Sequence, residues 1–265
     1  MRACMHSKTR KLRLDSSNVR PLEDFSLAFA YVVLQFYRQI SKPFQSMRVV
    51  ILGGTGPSGI LLIEEALVAK HTIVVYARSP QKLPVHLYEH PNVSIVQGEL
   101  EDPQALDTAF TTGVDAVLRA LGPTFGNPSG TPIARGYVAV LEAMRRAGVT
   151  RLIALGTVSI KDEVNDKRSV VYAAMVVVVA LGARSAYKDI IAIGEVIRAC
   201  EDVCWTIVRV PVLKNDENRV VRAGYVGDGG AGSAYVLSRQ GFAVFVVQEL
   251  EKGEWIKKMP LITSA

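Results

Sequence analysis

Three glycines carry the first chemistry legible in this chain. Gly53, Gly56 and Gly59 stand in VVILGGTGPSG at G-x-x-G-x-x-G spacing, after a strand-like apolar run and before a helical pattern. In such a loop the first glycine permits a tight turn, the second lets the backbone approach a diphosphate, and the third lets the following helix pack closely. The start of that helix offers unpaired N–H groups and the positive end of its dipole. Thr55, Pro57 and Ser58 complete the loop, so residues 53–59 predict a dinucleotide cradle. About twenty residues on, where an NAD site usually places an acid for the ribose hydroxyls, the chain has Arg78 and Ser79, with Lys82 a turn later and no acid. An Arg pairs bidentately with a 2′-phosphate and stacks on adenine, so the expected cofactor is NADP (NADPH).

Such a cradle works only if strands and helices hold it. From Met47 onward, short apolar runs alternate with helical patterns, the habit of a parallel sheet covered on both faces. Strands are expected at 49–52, 72–76, 93–96, 116–118, 152–155 and 206–210. Helices are expected at 59–69, at 103–110 with Asp102 as N-cap and Pro103 at the first helical position, at 133–147 ending before Gly148, and from about 187 to 200. The fold class is therefore α/β, a doubly wound parallel sheet of the NAD(P)-binding Rossmann type. Beyond about residue 212 the pattern changes to strand 219–226, a GDGGAGS turn, strand 234–237, helix 238–250 and strand 260–263. This part is expected to form a small C-terminal substrate lobe.

The 265 residues are 49% apolar and 21% charged, enough for a real core, which excludes a disordered chain or a disulfide scaffold. The net charge of +6 sits unevenly: residues 1–46 hold 8 Lys/Arg against 3 Asp/Glu, and residues 47–265 hold 23 against 22. A near-neutral body carries no electrostatic footprint for nucleic acid. The basic character belongs to residues 1–46, expected to be a dispensable N-terminal extension preceding a domain at 47–265. Cys4, Cys200 and Cys204 are an odd set that fits a reducing compartment, so a cytoplasmic location is expected. The Cys200/Cys204 pair has no nearby His and reads as buried free thiols; with His6, His71, His86 and His90 scattered, no metal site is expected. No run reaches the roughly 18 to 20 apolar residues of a membrane span, so no transmembrane segment is expected. The nearest misses are 25–37 and 170–181.

Taken together, GGTGPSG, YARSPQK, QGELED, VLRALGP, LIALGTVS, GEVIRACEDVCWTIVRVPVL and the closing LSRQGFAVFVVQELEKGEWIKKMPLIT resemble one family. It is the atypical short-chain dehydrogenases of the NAD(P)H-binding, NmrA-like and biliverdin reductase B-like group, and the resemblance runs from Met47 to the C-terminus. It implies a cofactor lying across the strand ends, with its diphosphate at Thr55, Gly56, Pro57 and Ser58 and its adenosine phosphate facing Arg78 and Lys82. Gly98, Glu99 and Leu100 stand where the family has Gly-Asp-Leu near the adenine. Leu121 and Gly122, Thr157 to Ser159, and Pro211 with Val212 would surround the nicotinamide.

Ordinary short-chain dehydrogenases use Tyr-x-x-x-Lys, in which Lys lowers the phenol pKa so that Tyr relays a proton. None of the nine tyrosines has Lys four residues later. Relatives in the NmrA and isoflavone reductase branch often carry a Lys four residues before the Glu matching Glu195, and that position here is Ile191. Lys188, Ile191 and Glu195 share one helix face, so Lys188 lies one turn earlier on the face of the missing Lys. Ser159, Tyr187 and Lys188 are thus the candidate catalytic residues. The stretch between Ser159 and Tyr187, polar and then apolar, reads as a lid over a small hydrophobic or aromatic ligand. The expected activity is hydride transfer from NADPH to a hydrophobic carbonyl, quinone, flavin or related conjugated compound, by a monomer or homodimer. The alternative is an NADP-sensing regulator of the NmrA type.

Overall fold

A computed structural model describes residues 46–111, 113–122, 126, 128–230 and 234–265. Residues 1–45 of the expected extension, with its apolar stretch 25–37, lie outside the described residues, as does the end of the Gly-rich turn at 231–233.

The elements alternate as the sequence pattern requires. β1 (Arg48–Leu52), α1 (Pro57–Val68) and β2 (Thr72–Ala77) form the first unit. A short 3₁₀ turn (Pro80–Lys82), α2 (Val85–Tyr88), β3 (Val93–Gln97), α3 (Pro103–Ala109) and β4 (Ala116–Arg119) follow. Next come α4 (Pro132–Ala147), β5 (Arg151–Thr157), α5 (Val170–Gly182), α6 (Arg184–Arg198), β6 (Cys204–Val210) and β7 (Val212–Lys214). The chain closes with β8 (Val221–Gly224), β9 (Val236–Ser238), α7 (Arg239–Lys252) and β10 (Leu261–Ser264).

Eight strands make one sheet in the order β3-β2-β1-β4-β5-β6-β10-β8, with only β8 antiparallel to its neighbour. The strand order reverses between β1 and β4, the position at which doubly wound folds hold ligands. Because β1 is covered on both faces, its run after Arg48 is apolar: Val50 and Leu52 join the core under α3, α4 and α6, and Val49 and Ile51 join the core under α1 and α7. Local chemistry fixes the helix ends. Asp102 Oδ1 accepts the N–H groups of Gln104 at 3.1 Å and Ala105 at 3.0 Å, and Pro103 follows at the first helical position. α4 stops at Gly148, which takes the left-handed φ of 70°.

The structure settles one point the sequence left open and changes one expectation. Strands 219–226 and 234–237, read on either side of the Gly-rich turn, are not partners of each other. Instead β8 lies antiparallel to β10, and β9 lies parallel to β7. A sheet edge with a free row of backbone groups is a better template than a two-stranded hairpin, which is marginal alone. Asp228 turns the chain away between them by accepting the N–H groups of Tyr225 at 2.6 Å and Gly230 at 2.9 Å. Cys200 is a buried free thiol, but Cys204 is half-buried at the start of β6 and is not free. Among the described residues no single helix is long and apolar enough to cross a membrane, and no three His, Cys, Asp or Glu side chains gather as a metal-holding group.

Candidate active site

At the switch point between β1 and β4 a cleft of about 500 Å³ opens. Gly53 leaves β1 with φ of 80°, and a Cβ there would lie 2.8 Å from the Leu121 nitrogen. The β1–α1 turn and the segment after β4 therefore meet only because residue 53 has no side chain. Gly59 packs still tighter: a Cβ there would collide with the Gly53 carbonyl oxygen and lie 2.7 Å from Gly54 Cα. Gly56 is different. Its φ of −87° suits any residue, and a Cβ there would touch only the Gly53 carbonyl oxygen, at 3.6 Å. The space in front of residue 56 is thus open, and it faces the first turn of α1, where Gly56 offers no side-chain cap and Pro57 occupies the first helical position. A diphosphate fits that cradle, with the helix dipole behind it.

The adenosine end is built by β2 and β3. Arg78, Ser79 and Lys82 line the cleft, and Arg78 is exposed. Its carbonyl accepts Gln97 Nε2 at 3.2 Å, and among the described residues no carboxylate engages its guanidinium. Tyr76 lies beneath, donating its hydroxyl to the Glu99 carbonyl at 2.5 Å. Burial, with Asp102 and Glu99 adding to it, pushes this phenol up to about 12, so it stays a donor across the physiological range. Gly98 leaves room for it, since a Cβ there would collide with that hydroxyl.

A second cleft, of about 830 Å³, opens beyond the end of β5, the neighbour of β4. Val158, Ile160, Tyr172, Val176 and Ile191 give it apolar walls, and Ser159 and Tyr187 line it too. Its floor is tied by a buried ion pair. Arg209 on β6 donates to Asp166 at 2.5 and 2.8 Å, to the Met259 carbonyl at 2.7 Å and to the Ile160 carbonyl at 3.1 Å. Asp166 also accepts the Val226 N–H at 3.1 Å. Burial works to raise the Asp166 carboxyl, but the bonds and charge of Arg209 outweigh it and hold the group below the usual carboxylate range. Burial, helped by Tyr235, likewise pushes the Tyr172 phenol up to about 12, and it donates to the Ala234 carbonyl at 2.6 Å.

Of the residues expected from sequence, Gly53, Thr55, Arg78, Ser79, Lys82, Glu99, Leu100, Leu121 and Gly122 come together around the first cleft. Gly56, Pro57, Ser58 and Gly59 form the turn and helix start behind it. Thr157, whose Oγ1 accepts the Ser159 N–H at 3.2 Å, lies at the same sheet end but lines neither cleft, and the same holds for Pro211 and Val212. Lys188 is exposed and lines neither cleft, while Tyr187 beside it points into the second. Successive helical residues diverge by about 100°, which aims Lys188 away from the cavity that Tyr187 lines.

Sequence reasoning gave no site role to Tyr76, Pro132 and Ile133 in the first cleft, whereas Gly98 lies there with Glu99 and Leu100 as the resemblance implied. Tyr76 is the first residue of YARSPQK, a motif already singled out; Pro132 and Ile133 carry no local signal. It also missed Asp189. This buried carboxylate of α6 accepts the N–H groups of Ile133 at 3.1 Å and Ala134 at 2.8 Å, capping α4 from another helix where Thr131 supplies no cap. Behind it the guanidinium of Arg119 is wholly buried, 3.3 Å above the Tyr137 ring. Burial lowers its pKa to about 10, against the opposing pull of Tyr137 and Asp189.

The fold and the cradle define a dinucleotide-binding protein of the Rossmann type. The family model described as NAD(P)H-binding matches residues 53–253, and the chain belongs to that family. Among solved structures it is similar to a short-chain dehydrogenase/reductase (wide type) from Veillonella parvula in complex with NADP, at 16% identity and a TM-score of 0.66 over 82% of this chain and 94% of that one. It is similar also to the oxidoreductase ylbE from Lactococcus lactis, at 18% identity and a TM-score of 0.65 over 83% and 91% of the two chains. A Rossmann-fold NAD(P)-binding family protein from Shigella flexneri matches at 19% identity and a TM-score of 0.60 over 83% and 94%. At these identities the likeness is one of fold.

Proposed function

We propose that the protein is an NADPH-dependent reductase of a hydrophobic carbonyl, quinone, flavin or related conjugated compound. The observation that carries this reading is the apolar 830 Å³ cleft at the end of β5, next to the strand whose end helps to line the cofactor cleft. Arg78 and Lys82, with no acid in residues 77–82 at the end of β2, favour NADPH over NADH. When bound, NADPH supplies a hydride. The chain's own contribution is orientation: Ser159 Oγ donates a hydrogen bond to the acceptor's oxygen, and Tyr187 Oη delivers the proton that the reduced oxygen takes up. The walls formed by Ile160, Tyr172 and Val176 exclude water from the acceptor.

Oxidation of NADPH in the presence of a panel of quinones and flavins tests the reading. The unaltered chain is expected to turn over at least one of them, and Ser159→Ala and Tyr187→Phe to lower kcat by roughly ten- to a hundredfold. A second reading, an NADP-sensing regulator of the NmrA type, is favoured by two observations: no Lys stands four residues after any tyrosine, and Lys188 lies outside both clefts. Tight NADPH binding without turnover of any acceptor selects it.

A further inference from the structure

α5 is apolar on every side, with the sequence VVYAAMVVVVALG. A helix of that composition is ordinarily buried in a core or in lipid. Here only Tyr172 is buried, and Val170 is 86%, Leu181 82% and Val178 69% exposed. Val170, Ala174, Val178 and Leu181 follow one another at i, i+4, i+8 and i+11, one outward face of the helix. Along the chain its flanks carry charge of one sign, and the acids that line the second cleft beside it, Glu163 and Asp166, are paired with Lys161 and Arg209. Between Lys167 and Lys188 the chain contains no acid, and its cations stand at the two ends, Lys167 and Arg168 before α5, Arg184 and Lys188 after it. All four are exposed. The chain then turns by 119° into α6, so α5 ends against a bend rather than continuing as a span.

We propose that α5 docks on an anionic phospholipid bilayer, its outward valines and leucine in the headgroup–acyl boundary and its flanking cations at the lipid phosphates. Charge selects this occupant. Residues 1–46 carry a net positive charge and a second copy would bring the same four cations, so both meet the flanks with like charge, whereas an anionic bilayer complements them. The inference goes beyond the proposed activity and does not require it. Resting on that reading, one consequence is added: Val170, Ala173, Val176 and Val177 belong both to α5 and to the wall of the second cleft, so a lipophilic acceptor such as a membrane quinone would enter from the bilayer.

Co-sedimentation of the full chain with phosphatidylcholine vesicles, with and without phosphatidylserine, tests the docking. Binding is expected only to the anionic vesicles and is expected to weaken in high salt. Val178→Asp/Leu181→Asp, at exposed positions outside both clefts, is expected to lower it about tenfold or more while NADPH affinity and the melting temperature stay unchanged. Arg184→Glu, a charge change alone, is expected to weaken it several-fold. Absence of binding by the unaltered chain, or undiminished binding by both variants, overturns the proposal; the latter result moves the contact to another segment. A dimer of the unaltered chain in sedimentation velocity, dissociated by the double variant, also overturns it, because a second copy then covers the face. Turnover of a soluble quinone in the same preparations separates failure of the docking from failure of the proposed activity.

Discussion

At the scale of single residues, Arg78 and Gly56 carry the sharpest expectations. Arg78 lines the first cleft at the end of β2 with its guanidinium free of any described carboxylate. Truncation to Ala is expected to erase most of a preference for NADPH over NADH, roughly 1 to 3 kcal/mol for a charge-assisted contact, measured as the ratio of the two dissociation constants. Equal affinities in the unaltered protein would remove the role given to Arg78. At Gly56 the protein itself leaves room for a side chain, since only the Gly53 carbonyl oxygen lies within reach of a Cβ. Gly56→Val is therefore expected to abolish NADPH binding while the thermal melt stays normal. Gly59→Val makes the contrast: it collides with the backbone of Gly53 and Gly54 and is expected to lower the melting temperature as well. A Gly56 variant that binds NADPH with native affinity would show that the loop is not the phosphate cradle.

At the scale of elements, one buried pair ties the second cleft to the sheet. Arg209 on β6 is fully buried and Asp166 nearly so, and between them they bond the segment after β5, the strand β6, the residue before Pro260, and Val226 after β8. Asp166→Asn removes the compensating charge from a buried guanidinium, which costs roughly 3 to 5 kcal/mol. Denaturant unfolding is expected to register this loss. NADPH affinity is expected to be spared, because the first cleft is built from other elements. A loss of less than about 1 kcal/mol would mean that Arg209 finds water instead. The cap of α4 by Asp189 is a device of the same kind: the start of a helix lining the first cleft is fixed by a side chain of α6, which also carries Tyr187.

At the scale of the whole molecule, one buried histidine contributes to the pH dependence of stability. His71 is fully buried at the start of β2, and its Nδ1 accepts the Met47 N–H at 3.2 Å, the contact that leads the chain into β1. Burial pulls its pKa below 6.5 despite the opposing charge of Asp115, so the folded state holds it neutral. A group depressed in this way contributes stability that is present above its unfolded value of about 6.5 and lost as the pH falls through the folded value. The melting temperature is expected to fall as the pH drops from 7 to about 5. His71→Gln, which keeps an acceptor but does not titrate there, is expected to flatten that slope. An equally steep slope in the variant would assign the effect to other groups.

The sequence by itself determined the alternation of strands and helices, the glycine cradle, the Arg78 edge and the caps at Asp102 and Gly148. Each is set by neighbours within a few residues, through periodicity, backbone freedom or a side chain bonding the nearest turn. The strand 72–76 and the helix 133–147 were legible to within one residue of β2 and α4 for that reason. Only the tertiary structure decided that β8 and β9 pair apart, because a strand's partner depends on which edge is free when the sheet is complete. It alone decided that Asp189 caps a helix 55 residues away, and that Tyr187 faces the second cleft while Lys188 faces outward. It also decided that the most apolar helix of the described chain lies on the surface. Composition states that α5 avoids water, but which of its faces the rest of the fold covers is a property of packing, and packing is not local.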